Sequence, residues 1–371
     1  DRNEIEEIGR SFMLICIRRP DAARLEPLAR IARHGRGGIP LGRGQAIRLS
    51  ISGGSNSRDY MVSFTEPYFL GQRISAGFDI YRQTRKYNYY ESATTGGTVR
   101  FGLPITENFS TQLAYNISSE KYSFRDTCDD NKDGIYGDCA NNLSAFIRDA
   151  INGQSWLKSS VSGSLVYNSI DNMQNPREGL YANFTTEVAG LGGDARWVKL
   201  TGRGSYYHTL SDQADLVGVL TAGGGHLLSY GDRPLRVFDY FQSSDRIIRG
   251  FAYNGIGPYD ATPNANGTFD HLGGRTYFHA SAELQFPIPA IPQSIGIRGA
   301  VFADAATLYG NSLTSGSSTV AGANMALRAS VGASLIWASP FGPLRVDYAV
   351  PVKKEATDKV QNFNFGISTR F

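Results

Sequence analysis

The sequence predicts an all-β chain, a transmembrane antiparallel β-barrel with one long loop folded into its lumen. Three observations predict it. From Gly44 onward the chain resolves into alternating apolar and polar segments of about ten residues, each bounded by turn residues. The connections between these segments alternate between short and long. Two carboxylates, Glu283 and Asp304, fall on the polar faces of consecutive strands, and a long loop before them carries Arg249.

Composition narrows the class. Glycine supplies 42 of 371 residues, and the aromatics are 20 Tyr and 20 Phe against 3 Trp, a balance suited to strands and interfacial girdles. No run of about twenty apolar residues occurs, which excludes a transmembrane helix. The mean hydropathy of −0.27 does not exclude a barrel, because only alternate residues of a spanning strand face lipid. A net charge of +3 with dispersed basic residues does not point to nucleic acid.

Fourteen strands are predicted, near 44–53, 58–66, 73–85, 90–103, 108–124, 155–169, 178–190, 194–209, 213–229, 274–286, 294–304, 325–338, 342–350 and 361–371. The last has the cleanest period of two. Phe363, Phe365, Ile367, Thr369 and Phe371 alternate with Asn362, Asn364, Gly366, Ser368 and Arg370. A short helix is expected around Leu143 to Ala150. The segments TEPYFLGQR, PITEN, NPREG, HTLSDQA, PIPAIPQ and SPFGP read as tight turns, whereas 125–154, 230–274 and 305–324 are long. Brief turns on one rim and extended loops on the other are the signature of an outer-membrane barrel, and the long connections share one parity. Tyr68, Phe69, Tyr81, Tyr87, Tyr89, Tyr90, Tyr206, Tyr207 and Trp337 suit interfacial belts or lumen packing.

The loop from about Tyr230 to Gly274 is too long for an ordinary connection and is expected to be a working part. Within it, SSDRIIRGF places Arg249 before Gly250, which permits close backbone approach, between the apolar Ile248 and Phe251. In the strands that follow, Arg275, Tyr277, His279, Ser281, Glu283 and Gln285 share one face, and Arg298, Ala300, Phe302 and Asp304 share another. If these faces line the lumen, an infolded loop sets Arg249 against both acids in charge-assisted hydrogen bonds. A soluble barrel or sandwich also alternates, but would not gather its Arg, Ser, Asn and carboxylates on the enclosed face.

Other candidate motifs are weak. Cys128 and Cys139 close a short surface loop and could pair in an oxidising compartment; with Cys16 they make no metal site. Asp129-Asp130-Asn131-Lys132-Asp133-Gly134 partly matches a calcium loop, yet Ala140 stands where the bidentate Glu belongs. The histidines His34, His208, His226, His271 and His279 lack metal-ligand spacing. Gly223-Gly224-Gly225 lies in a strand and reads as a bulge, or as a place where the loop passes close to the wall. No nucleophile motif argues for an enzyme, and no cofactor is expected.

Arg249-Gly250-Phe251 in a long loop, then Ala282-Glu283-Leu284, then Phe302-Ala303-Asp304, together resemble the BamA superfamily of outer-membrane assembly and transport barrels. FTEPYFLG at 64–71, NPREG at 175–179, SPFGPLRVDYAVP at 339–351 and the terminal Phe371 extend the resemblance over residues 41–371. Two positions depart from the family pattern. Ile248 stands where valine is usual, and Ala306 stands where glycine follows F-x-D-x, which is expected to hinder close packing of the loop.

The resemblance implies a barrel of sixteen strands in the bacterial outer membrane that inserts and folds other β-barrel proteins. It implies as partners unfolded outer-membrane proteins, outer-membrane lipids and assembly lipoproteins that bind periplasmic domains of the POTRA type, which are not read in this sequence. The last strand, with Phe363, Phe365, Gly366 and Phe371, would form one side of a weakly paired seam. A superfamily transporter of the two-partner-secretion type and a passive porin are the alternatives.

Residues 1–40 depart from the pattern altogether. They carry eight arginines, with Pro20, Pro27 and Pro40, and no sustained period of two where the family has its first two strands. The expectation is an out-of-frame or rearranged segment replacing those strands. A basic amphipathic segment with Leu25, Leu28, Ile31 and Ala32 on one face is the alternative.

Overall fold

The structure, a computed structural model, describes residues 15–17, 45–54, 56–128, 137–151, 153–173, 175–289, 291–292, 295–314, 318–339 and 342–367. Its strands in chain order are β1 (Ile15–Ile17), β2 (Ala46–Gly53), β3 (Ser57–Glu66), β4 (Ser75–Lys86), β5 (Tyr90–Pro104), β6 (Phe109–Phe124), β7 (Ser155–Asn168), β8 (Gly179–Gly193) and β9 (Trp197–Ser211). There follow β10 (Leu216–Ser229), β11 (Tyr259–Asp260), β12 (Thr276–Pro287), β13 (Ile297–Tyr309), β14 (Val320–Ala321), β15 (Arg328–Ser339), β16 (Gly342–Lys353) and β17 (Phe363–Ile367).

All but β11 and β14 join one antiparallel sheet in which spatial order follows sequence order. That sheet holds the fourteen predicted strands plus β1. Up-and-down order requires only hairpin connections, so each strand meets its sequence neighbour and the ladder is built from local pairings.

Alternation decides which face turns outward. In β6, Leu113, Tyr115 and Ile117 are 56%, 40% and 43% exposed. In β13 Val301 is exposed while Phe302 and Asp304 are buried, and Phe363 and Phe365 in β17 both point outward and exposed. A continuous belt of exposed Leu, Ile, Val, Phe and Tyr around a sheet is unsuited to water and suited to lipid. The opposite face is polar. Arg100 of β5 pairs with Asp79 of β4 and donates to Thr65 of β3 at 2.7 Å, and Asn116 of β6 donates to the Tyr81 hydroxyl at 2.9 Å.

The sheet curls around the connection between β10 and β12. Arg236 of that loop donates to Glu120 of β6 at 3.0 Å and lies 4.2 Å from the Trp156 ring centroid of β7. Phe238 stacks on Tyr122 of β6 with ring centroids 3.7 Å apart, and Phe241 meets Tyr277 of β12 edge-on at 4.9 Å. Farther on, Asn364 of β17 donates to Asp245 at 3.2 Å. One loop can touch walls from β6 to β17 only if those walls surround it, so this loop occupies the lumen. Gly223-Gly224-Gly225 sits in unbroken register within β10, so there is no bulge. A side chain on Gly225 would come within 3.0 Å of the Phe241 ring, which makes the glycine run the place where the loop passes close.

Over the long-loop rim, Cys128 and Cys139 form a disulfide, and the helix Ala145–Ala150 packs Phe146 and Ile147 against Val237 and Leu272 of the lumen loop. Asp260 of β11 is 1% exposed and accepts from the hydroxyls of Ser144 at 2.6 Å and Ser318, and from the Thr262 amide at 2.9 Å. One carboxylate thus ties three connections together.

Within residues 1–40, where no sustained period of two is read, Ile15–Ile17 pairs with β2 through Ile15 and Leu49, Cys16 and Arg48, and Ile17 and Ile47. This triplet, with two β-branched isoleucines, satisfies part of the edge that β2 would otherwise leave open. The rest of residues 1–40, the calcium-like segment Asp129–Gly134 and the terminal Phe371 lie outside the described residues.

Candidate functional site

The site is built where the lumen loop meets the wall of β12, β13, β15 and β16. Period-two alternation brings Ser281 and Glu283 of β12, Phe302 and Asp304 of β13, Ser334 of β15, and Arg345 and Asp347 of β16 onto the lumen face. Into this patch the loop delivers Arg249, 2% exposed.

Arg249 meets two carboxylates, a hydroxyl and an aromatic ring at once. Its backbone N–H and Nε donate to Asp304 Oδ2 at 3.1 and 2.6 Å, and Nη2 donates to Asp304 Oδ1 at 2.6 Å. Nη1 donates to Glu283 Oε2 at 2.8 Å, and Nη2 also reaches Ser281 Oγ at 2.9 Å. The guanidinium carbon lies 3.2 Å from the centroid of the Phe302 ring, so the plane stacks on the aromatic face. The fork grips Asp304 bidentately, a geometry that lysine cannot reproduce.

Arg345 completes the cluster from the other side. It donates to Glu283 at 3.1 and 2.5 Å, to Asp347 at 2.8 Å and to Ser334 at 2.7 Å, while Ser334 donates to Asp347. Three carboxylates and two guanidinium groups therefore share a nearly dry patch, with Arg249, Glu283, Asp304 and Asp347 side chains all at most 7% exposed. Removing one member of such a set leaves its partner charged, buried and unmatched.

The flanking residues explain how the loop comes close enough. Gly250 has φ +86°, and a Cβ there would stand 3.2 Å from that of Ala349. Ile248, Phe251 and Ile256 are buried with Ala306 and Leu308 of β13. The two departures from the family pattern, Ile248 and Ala306, thus fall in the same cluster. Ala306 does not keep the loop away; its methyl fills the space beneath it.

Sequence reasoning placed Arg249, Gly250, Phe251, Glu283, Phe302 and Asp304 together. It did not single out Arg345, Asp347, Ser281 or Ser334. The signal was available in LRVDYAV, where Arg345 and Asp347 share one strand face as the two acids of β12 and β13 do on theirs. Phe363, Phe365 and Gly366 lie on β17, and between β17 and β1 no ladder occurs among the described residues. Below the docked loop lies a cavity of about 100 Å³ lined by residues that include Arg203, Tyr207, Arg246 and Arg298. Among the described residues no cluster of His, Cys, Asp and Glu has the arrangement of a metal site.

An exposed apolar belt, an up-and-down sheet and a lumen loop pinned by an Arg-Gly-Phe turn define an outer-membrane β-barrel protein. Residues 40–371 match the Omp85 superfamily domain, and the chain belongs to that superfamily. It is 27% identical over 334 residues to the outer membrane protein assembly factor BamA of Neorickettsia risticii, covering 89% of this chain and 42% of that protein. Its identity to the BamA of Neisseria meningitidis serogroup B is 25% over 368 residues, 89% of this chain and 44% of that protein. The human sorting and assembly machinery component 50 homolog is 25% identical, with 89% of this chain and 67% of that protein covered. The chain therefore spans less than half the length of these two bacterial relatives. Among solved structures, BamA from Haemophilus ducreyi lacking POTRA domains 1–3 shares the fold with a TM-score of 0.70 at 24% identity, covering 88% of this chain and 64% of that one.

Proposed function

We propose that this chain is the barrel portion of a bacterial outer-membrane assembly factor that inserts other β-barrel proteins by strand templating. The observation that carries the reading is the anchored loop. Five hydrogen bonds from Arg249 to β12 and β13 brace one wall of the lumen, while β17 at the far end of the sheet remains an edge among the described residues. An edge strand with unpaired N–H and C=O groups offers an incoming strand a ready partner. A wall braced at β12 and β13 lets that edge open without loss of the whole cylinder.

The clients in this reading are unfolded outer-membrane proteins, the medium is outer-membrane lipid, and assembly lipoproteins act through periplasmic domains beyond the span matched here. The chemistry is noncovalent, so the reading assigns no catalytic residue and no cofactor. A passive porin predicts a loop that constricts the lumen without docking Arg249 on Glu283 and Asp304, and that docking favours the assembly reading over the porin.

The test is reconstitution into liposomes with a urea-unfolded small β-barrel as client. The expected result is faster client folding, scored by heat-modifiable migration, than in protein-free liposomes. Unchanged folding together with a large steady conductance in planar bilayers would replace this reading with a pore.

A further inference from the structure

The Arg-Gly-Phe turn does more than touch β12 and β13. Its continuation runs antiparallel to the chain that leads into the last strand. The Ala252 N–H donates to Lys359 O at 2.9 Å, Lys359 N–H to Gly255 O at 2.8 Å, and Gln361 N–H to Gly250 O at 3.1 Å, with Phe251 bridged to Val360. Two residues later β17 begins, and its first lumen-facing residue, Asn364, donates to Asp245 of the same loop at 3.2 Å. The approach is pinned as well: Lys359 Nζ is 3.5 Å from Asp270 of the loop, and Asp358 receives two 3.0 Å hydrogen bonds from Arg328 of β15.

We infer that the lumen loop is the clamp on the last strand, with Arg249 as its anchor and Asp245 and Asn364 as positioning residues. The inference rests on the templating reading and adds where control of the edge resides. Among the described residues β17 pairs with β16 from Leu344 with Ile367 to Tyr348 with Phe363. The three main-chain bonds from the loop directly precede that ladder and fix the strand's entry. Arg249, Gly250 and Phe251 are consecutive, so seating the guanidinium on Asp304 sets the position of the very carbonyl that Gln361 uses. Loop undocking and release of the last strand are then one event, driven from the lumen rather than from the lipid side.

The experiment is hydrogen exchange by mass spectrometry on the whole protein in lipid nanodiscs, comparing amides of 359–367 with those of β4 as a distant reference. In Arg249→Lys, exchange over 359–367 is expected to rise about tenfold while β4 stays unchanged, since loss of the bidentate grip removes one to two charge-assisted hydrogen bonds. Asp245→Ala, at an exposed position, is expected to raise exchange about threefold over the same amides. The exchange Asp245→Asn with Asn364→Asp should restore protection, because amide and carboxylate merely trade places.

Faster loop exchange with unchanged 359–367, or a uniform rise that includes β4, overturns the clamp. If Arg249→Lys does not fold, the Asp245 pair alone decides. No client folding is read, so the clamp and the templating function stand or fall separately.

Discussion

Arg345 holds Glu283 with both of its terminal nitrogens, at 3.1 and 2.5 Å, from the side opposite Arg249. Glu283 is therefore the acceptor that couples the loop's cation to that of β16. Glu283→Gln removes the charge shared by two buried guanidinium groups and is expected to destabilise the docked barrel by roughly 3–5 kcal/mol. Loss of heat-resistant compact migration on gels, with an earlier urea midpoint, is the measurement. Arg345→Ala should cost less at the loop, since Arg249 keeps its three bonds to Asp304.

Arg249→Ala takes away the anchor and leaves Asp304 buried without its cation. The expected outcome is membrane insertion with a loop that proteases cut within 230–274. Wild-type resistance of that segment would count against the bracing role.

Ala306 packs beneath Ile248 and Phe251 at 1% exposure. Ala306→Gly, which restores the family pattern, is expected to loosen the loop by about 1 kcal/mol through a lost methyl contact and a freer strand backbone. Hydrogen exchange of amides 247–252 reads the difference. Slower exchange would show the alanine to be an obstacle after all, and unchanged exchange that its methyl contributes nothing to docking.

The disulfide between Cys128 and Cys139 closes a loop over a sequence separation of 11, outside the barrel wall. Cys128→Ser with Cys139→Ser should leave the barrel's urea midpoint within experimental scatter while making 125–154 a site of limited proteolysis. Closing a loop of this size contributes about 2–3 kcal/mol at most, and here it acts on a segment that can open locally.

His271 is 2% exposed in the lumen loop, with Asp358 at 4.0 Å and neither ring nitrogen hydrogen-bonded among the described residues. Burial lowers its pKa to about 4; Asp358 opposes that shift, and Lys359 and Arg328 reinforce it. An undocked ring takes up its proton near the ordinary value, whereas the seated one resists until about pH 4. The undocked state binds more protons in between, so loop stability is full above about pH 6.5 and falls towards pH 4, by roughly 3 kcal/mol at the acidic end. Protease protection of 254–274 across that range should show the slope, and His271→Leu should flatten it.

The barrel was legible because alternation is a long signal. Each strand repeats its pattern over several pairs of residues, and the structure places all fourteen within a few positions of where the period of two puts them. β13 runs to Tyr309 rather than stopping at Asp304, because Ala305, Ala306 and Leu308 are apolar on both faces where the loop covers the lumen side, and alternation vanishes there. The Arg249 cluster was half legible: acids on known strand faces imply a cation nearby. The main-chain pairing of 250–255 with 359–361 left no trace, since backbone hydrogen bonds carry no residue preference. Ile15–Ile17 was missed because three residues are too few to show a period.

Asp260, with Ser144 and Ser318 on its oxygens, sets a limit on how the long-loop rim can vary. Foreign epitopes grafted into the exposed turn at 264–267 would lie beyond this knot and leave it tied. The same graft at Ser144 or Ser318 would unfasten three connections at once. One buried acid thus divides replaceable ground from ground that must be kept.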